Sequence, residues 1–206
     1  VVALDSSSRW EQHLQAVARE RALPWLEVRR ADLETVALEP QSYDVIFARW
    51  VFSFLRDPRS VVQRLAHALR PGGWLAIQDY NHEGISLFPR SEGFAAAVRA
   101  ARAWYRASGG DTWVAGRLPG DMRAAGLELV PADTHVLAGG PNSSAFRWAD
   151  AFFPVFAPRW MEAGHMTAAE LELFRAEWAA RQRDPDAFFF SPIVVDLAGK
   201  KSSSSK

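Results

Sequence analysis

The sequence predicts an α/β protein built on a doubly wound, mostly parallel sheet, and three segments near its front carry that prediction. They are Val1-Val2-Ala3-Leu4-Asp5, Tyr43-Asp44-Val45-Ile46-Phe47-Ala48-Arg49, and Leu69-Arg70-Pro71-Gly72-Gly73-Trp74 running into Leu75-Ala76-Ile77-Gln78-Asp79. Each is, or leads into, a short apolar run that ends in a polar residue, and helix-like stretches separate them. Parallel strands buried on both faces read as such runs, and open α/β sheets bind ligands beyond the carboxyl ends of their strands.

Taken in order, residues 1–4 are an apolar run closed by Asp5, and Ser6-Ser7-Ser8 supplies helix caps. Trp10, Leu14 and Val17 recur at helical spacing, and Pro24 closes that unit. Residues 26–28 predict a short second strand that delivers Ala31-Asp32-Leu33 to a loop, and residues 45–48 predict a strong third one. Asp57-Pro58 is a helix start, a capping carboxylate followed by proline at the first helical position. Val61, Val62, Leu65 and Leu69 line one face of that helix until Pro71-Gly72-Gly73 stops it and turns the chain. Residues 74–78 predict a strand, 94–105 a helix ended by Gly109-Gly110, 117–125 a short helix stopped by Gly126, and 127–137 a long strand interrupted at Pro131. Phe146, Ala149, Phe152, Phe153 and Phe156 predict a helical aromatic face that Pro154 and Pro158 break or kink. Thr167 and Glu170 make a capping box for a helix that carries Leu171, Phe174 and Trp178 inward. Residues 188–197 predict a final strand, with Pro192 at an edge or bulge.

With 206 residues one domain is expected, spanning residues 1–199. All three lysines stand at 200, 201 and 206, so every other one of the 24 basic residues is arginine. That shift in composition marks 200–206 as a disordered Lys/Ser tail. Net charge is formally zero, which speaks against a nucleic-acid partner, since such proteins carry a basic face. The lack of cysteine excludes disulfides and thiolate metal sites. The histidines at 13, 67, 82, 135 and 165 lack ligand spacing, so no metal is expected. Gly109-Gly110 and Gly139-Gly140 lack the spacing of a phosphate loop and read as turns. No membrane-length apolar stretch or signal peptide is visible, so the expectation is a soluble cytoplasmic protein without a membrane partner. The missing initiator Met implies that the amino terminus lies further upstream.

The order and wording of the three front segments resemble the class I S-adenosylmethionine-dependent methyltransferases, particularly the small-molecule branch that includes the ubiquinone and menaquinone biosynthetic enzymes. The resemblance covers residues 1 to about 137 and, more loosely, the final strand. It implies a Rossmann-like sheet with an antiparallel last strand, S-adenosyl-L-methionine as cofactor, and methyl transfer to a small-molecule acceptor. It also implies that the chain opens inside the pattern. The first strand and its Gly-rich loop are expected to be missing from between the strands that end at Asp5 and Ala48, which would leave the fragment inactive.

Asp5 sits where doubly wound nucleotide-binding folds place a carboxylate for the ribose hydroxyls, with Ser6 beside it; a plain turn or helix cap is the bland alternative. By the resemblance, Asp32 and Leu33 lie at the adenine, although a solvated loop aspartate fits as well. Ala48, Arg49 and Trp50 correspond to the strand end at the methionine portion, and Trp50 is also a substrate-binding candidate. Arg49 also offers a planar fork for an anionic substrate, or else an ordinary surface salt bridge. The run Asp79-Tyr80-Asn81-His82-Glu83 follows the strand whose loop faces the acceptor in this family. Tyr80 is thereby a substrate-binding candidate and His82 a tentative base, its ordinary pKa lying near neutrality; a solvated loop histidine is the alternative. Phe152 and Phe156 belong either to a substrate lid or to the hydrophobic core. Pro71-Gly72-Gly73 is read as structural. Two rival functions stay open. One is a non-catalytic methyltransferase-like protein for binding or assembly. The other is an NAD-dependent reductase of the short-chain type, whose chemistry normally needs a Tyr with a Lys four residues later, and no lysine precedes position 200.

Overall fold

The computed structural model describes residues 1–203. The front unit is β1 (Val2–Asp5), α1 (Ser8–Glu20) and β2 (Glu27–Arg30); β1 and β2 pair in parallel, with Asp5 opposite Arg30. Next come β3 (Tyr43–Arg49), α2 (Pro58–Ala68) and β4 (Leu69–Asn81), again with the two strands parallel. The start of α2 is the one the sequence predicts: Asp57 accepts the Ser60 amide at 3.0 Å and Pro58 opens the helix.

Beyond β4 the chain runs through β5 (Ser86–Phe88), α3 (Glu92–Ala107), α4 (Leu118–Ala124), β6 (Leu127–Leu129), β7 (Asp133–His135) and β8 (Ala138–Gly139). It closes with α5 (Ser144–Glu162), α6 (Ala168–Arg181), β9 (Phe188–Phe190) and β10 (Ile193–Lys201). The main sheet has the order β3-β4-β10-β6, with β7 also on β10, and β10 runs antiparallel to its neighbours. A small antiparallel sheet, β5-β9-β8, stands apart. The architecture is therefore the α/β sheet the sequence predicts, with parallel strands in front and an antiparallel long strand at the end.

Two cores hold the molecule. Alternate residues of the main sheet, Leu75, Ile77 and Leu197, point to one face and pack on Val61, Val62 and Leu65 of α2 and on Leu118 and Met122 of α4. On β3, by contrast, Val45 and Phe47 are 62% and 63% exposed. The second core is aromatic: Phe94 of α3, Phe146, Phe153 and Trp160 of α5, Phe174 and Trp178 of α6, and Phe189 of β9. Helices α3 and α6 approach so closely that a Cβ on Gly93 would lie 2.5 Å from the Phe174 backbone, which only glycine allows.

Several expected boundaries are corrected. The second strand occupies Glu27–Arg30, which brings Arg30 rather than Val28 to the strand end. The long strand expected over 127–137 is two short pieces, β6 and β7, because Pro131 lacks the N–H that a continuous ladder needs. Pro192 likewise divides the final strand between two sheets. Helix α5 is unbroken despite Pro154 and Pro158. Each interior proline costs about 3 kcal/mol, but Phe146, Phe153 and Trp160 are almost wholly buried, and burying a large apolar side chain returns about 1.5–3 kcal/mol. The tail does not begin at 200: Lys200 and Lys201 are strand residues of β10. The Lys201 ammonium donates to the carbonyls of Ala66, His67 and Leu69 at 2.8, 3.3 and 2.7 Å, where the end of α2 leaves carbonyls without helical partners. The last three residues, 204–206, fall outside the described residues.

Candidate functional site

The expected site residues sort into three groups. The first is at the carboxyl ends of β1 and β2. Asp5 is half-buried; its Oδ1 accepts the Ser7 amide at 2.7 Å, a turn that presents Ser7 as the cap of α1, and its Oδ2 has no partner among the described residues. Ser6 beside it is exposed. Asp32 is exposed and accepts the Glu34 amide at 2.8 Å. Its loop is tied to the body of the protein: Leu33 packs against the core under α2, the Leu33 carbonyl accepts from Arg64 Nη2 at 2.5 Å, and Glu34 Oε1 accepts the Arg56 amide at 2.8 Å and the Asp57 amide at 3.2 Å.

The second group is continuous. At the end of β3, Ala48 is buried and Arg49 is exposed. The chain then turns through Trp50, which adopts a left-handed φ of 56° and donates its amide to the Gln78 carbonyl at 2.9 Å. The Arg49 guanidinium carbon lies 4.1 Å from the centre of the Trp50 ring, a cation–π contact. Trp50 in turn stacks on Tyr80, centroids 5.4 Å apart and planes within 12°. Tyr80 meets His82 edge-on at 5.6 Å, and His82 meets Tyr105 at 5.8 Å. Burial, and then the charges on Tyr105 and Asp79, push the Tyr80 phenol well above its ordinary range, while Arg49 works against them. Burial and Asp79 raise Tyr105 to about 12.

His82 is not a solvated loop residue. It is 3% exposed, donates its amide to Thr112 at 3.0 Å, and accepts from Arg102 Nη2 on its carbonyl. Burial, with the Arg102 charge adding to it and Asp111 opposing, lowers its pKa to about 4, so the ring is neutral at pH 7. Its Nδ1 has no hydrogen-bond partner among the described residues.

The third group lies elsewhere. Phe152 and Phe156 are half-buried on α5, with ring contacts to Trp148, Phe153 and Trp160, and pack on the aromatic core rather than on the core beneath β3 and β4. Among the described residues no hydrogen bond, ion pair or ring contact links them to Trp50, Tyr80 or His82, and none links Asp5 or Asp32 to Arg49 or Trp50.

One residue the sequence leaves without a role is central here. Asp79 is fully buried at the end of β4. Its Oδ2 accepts the amides of Val51, Phe52 and Ser53 at 3.1, 2.7 and 3.3 Å, and its Oδ1 accepts the Tyr80 amide at 2.8 Å. Burial pushes its carboxyl upward, against the pull of those amides. The available signal was an acid at the end of a strand too apolar to hold one without partners. Among the described residues no group of three or more His, Cys, Asp or Glu side chains could hold a metal ion, and no helix is long and apolar enough to cross a membrane.

Asp5 stands at the end of one parallel strand pair and Asp79 near the end of another, the strand ends beyond which open α/β sheets bind ligands. Residues 1–77 match the family described as "Methyltransferase domain". A ubiquinone biosynthesis O-methyltransferase of Paracidovorax citrulli is 30% identical over 82 residues, 39% of this chain and 34% of that protein. A trans-aconitate 2-methyltransferase of Azoarcus is 36% identical over 107 residues, 50% of this chain and 40% of that one. The chain thus spans about a third of the length of the curated relatives it matches. The fold extends further: YcgJ of Bacillus subtilis superposes with a TM-score of 0.63 at 14% identity, covering 98% of this chain and 82% of that one. The [4+2]-cyclase SpnF shares the fold too, with a TM-score of 0.55 at 16% identity, covering 98% of this chain and 67% of that one. The chain as a whole carries the fold of these solved structures.

Proposed function

We propose that this chain is part of an S-adenosylmethionine-dependent methyltransferase acting on a small-molecule acceptor. The observation that carries the reading is Asp5: a strand-end carboxylate with Oδ2 free of partners among the described residues, inside the segment that matches the family. That oxygen suits a ribose hydroxyl, which needs an acceptor. Asp32 and the Leu33 amide would take the adenine edge, and Ala48 the methionine end, leaving the Arg49 side chain for the acceptor. When bound, S-adenosylmethionine supplies an electrophilic methyl group on a sulfonium. The chain's own residues then need to align the nucleophile and, where it carries a proton, receive it.

Trp50 and Tyr80 offer a flat apolar wall for the acceptor, with Phe152 and Phe156 as further candidates. His82 is the candidate proton acceptor, but a pKa of about 4 makes it a weak one. An acceptor that arrives already ionised, such as a carboxylate, suits this site better, and the exposed Arg49 fork is placed to hold it. The relatives named for trans-aconitate, a carboxylic acid, agree with that choice.

We also infer that a further strand and loop, the segment expected from the resemblance, belong between β1 and β3. Each of these strands pairs on one side only, Val45 and Phe47 lie bare, and no residue before Ala48 is buried. A second reading, binding or chemistry other than methyl transfer, is favoured by one observation: a cyclase shares this fold, and fold alone does not fix activity. The test is calorimetric. Asp5→Ala in the parent protein should weaken S-adenosylmethionine binding by about 1–3 kcal/mol, the scale of a charge-assisted hydrogen bond. Unchanged affinity would remove Asp5 from the site.

A further inference from the structure

We infer that Asp79 is the positioning residue of the acceptor wall: from inside the core it fixes the turn that lays Arg49 on Trp50 and Trp50 on Tyr80. The role of that wall rests on the function proposed above; the positioning itself does not.

Residues Phe52–Phe54 form a single helical turn one residue after Trp50. A helix start leaves its first amides without partners, and buried amides need them. No side chain near in sequence serves: the residue before the turn is Val51, which has no acceptor. The partner comes from the neighbouring strand, about 27 residues later. A single Asp79 oxygen gathers three successive amides, Val51, Phe52 and Ser53, while the other oxygen holds the Tyr80 amide. One carboxylate therefore joins the two strand ends that carry the stacked rings.

Trp50 shows what this connection holds in place. Its φ of 56° is the left-handed region, unfavourable for a bulky residue. The conformation persists because it is fixed on both sides. Before it, the Trp50 amide is bound to Gln78; after it, the next three amides are bound to Asp79. The ring is left 37% exposed, with Tyr80 behind it and the Arg49 guanidinium in contact with it. Without the carboxylate, the turn loses its reason to stay wound and Trp50 its reason to stay left-handed. Asp79 touches neither cofactor nor acceptor; it acts through Trp50 and Arg49.

Two measurements on the 206-residue chain decide this. The Trp50 contribution to near-ultraviolet circular dichroism is isolated as the difference between the wild type and Trp50→Phe. In an Asp79→Asn background the same difference should vanish while the far-ultraviolet spectrum stays unchanged. A persisting difference band would overturn the proposal. Hydrogen exchange on the unsubstituted protein covers the case in which Asp79→Asn does not fold: the Phe52 and Ser53 amides should exchange at least about 100-fold more slowly than unstructured amides. Exchange at the unprotected rate would overturn it equally. In the active parent enzyme, Asp79→Asn should raise the acceptor KM about tenfold or more with kcat held within about threefold, the pattern of lost binding. Loss of the spectral band in a protein that never transfers a methyl group would sink the proposed function and leave the positioning role intact.

Discussion

Before Ala48 no side chain is buried, although this stretch holds Val2, Leu4, Leu14, Val17 and Val28 at half-covered positions and Trp10 and Trp25 more than half exposed. Between Phe94 and Phe189, seven large aromatic rings pack into one cluster at 4% exposure or less. Yet it is the first region, not the second, that lies wholly inside the family match over residues 1–77. The difference separates two things a sequence encodes. The strand-end carboxylates and turns of the first region are recognisable without a core around them. The aromatic half is held by burial, which many sequences satisfy equally well, so it carries stability and little family signal. All-parallel sheets occur almost only with both faces covered, and no residue of β1, α1 or β2 is buried.

The largest expected effect contrasts the two regions directly. Trp160→Ala removes a fully buried ring and should cost about 3–5 kcal/mol. Trp10→Ala, at a position 54% exposed, should stay within about 0.5 kcal/mol. Urea unfolding measures both; comparable losses would break the comparison.

Next in size is an acid effect centred on His82, between the two regions. In the unfolded chain the ring protonates near its ordinary 6.5; in the folded chain it stays neutral down to about 4. Between those values the unfolded state binds more protons, so stability falls as pH falls. The contribution is fully present above about pH 6.5 and is lost by about pH 4, on the order of 3 kcal/mol in all. Replacing it by His82→Gln should flatten the slope of unfolding free energy in that window; an unchanged slope would mean that the ring is hydrated and free to protonate.

The smallest effect sharpens the comparison. Phe47→Ser should alter the stability of the present chain by less than about 0.5 kcal/mol, because the ring is 63% exposed. In a protein extended upstream it should cost about 2–3 kcal/mol, the burial energy of a covered side chain. Equal small effects in both would mean that nothing covers this face.

Much of this was legible in the residues. Asp57-Pro58, the capping box at Thr167 and Glu170, and the strands at Asp5 and Arg49 follow from local chemistry that needs no tertiary context. The unbroken α5 was not legible, since aromatic burial overrides the local preference of Pro154 and Pro158. Lys201 reads as part of a charged tail until α2 ends beside it with three carbonyls to satisfy. At the site, Arg49, Trp50 and Tyr80 are neighbours in space only because β3 and β4 pair in register, Arg49 opposite Gln78. The burial of His82 depends on Tyr105, Arg102 and Thr112, all on later segments, and its lowered pKa is therefore invisible to spacing.

If the strand end at Asp5 is a cofactor edge, as proposed, it needs a further strand beside it. Titration calorimetry with S-adenosylmethionine, on the 206-residue chain and on a version extended through the residues encoded upstream of Val1, tests it most directly. The extended protein should bind at least about tenfold more tightly, a difference of about 1.4 kcal/mol or more, and Asp5→Ala should remove most of that gain. Equal micromolar binding by both proteins, or binding indifferent to Asp5, would contradict the account.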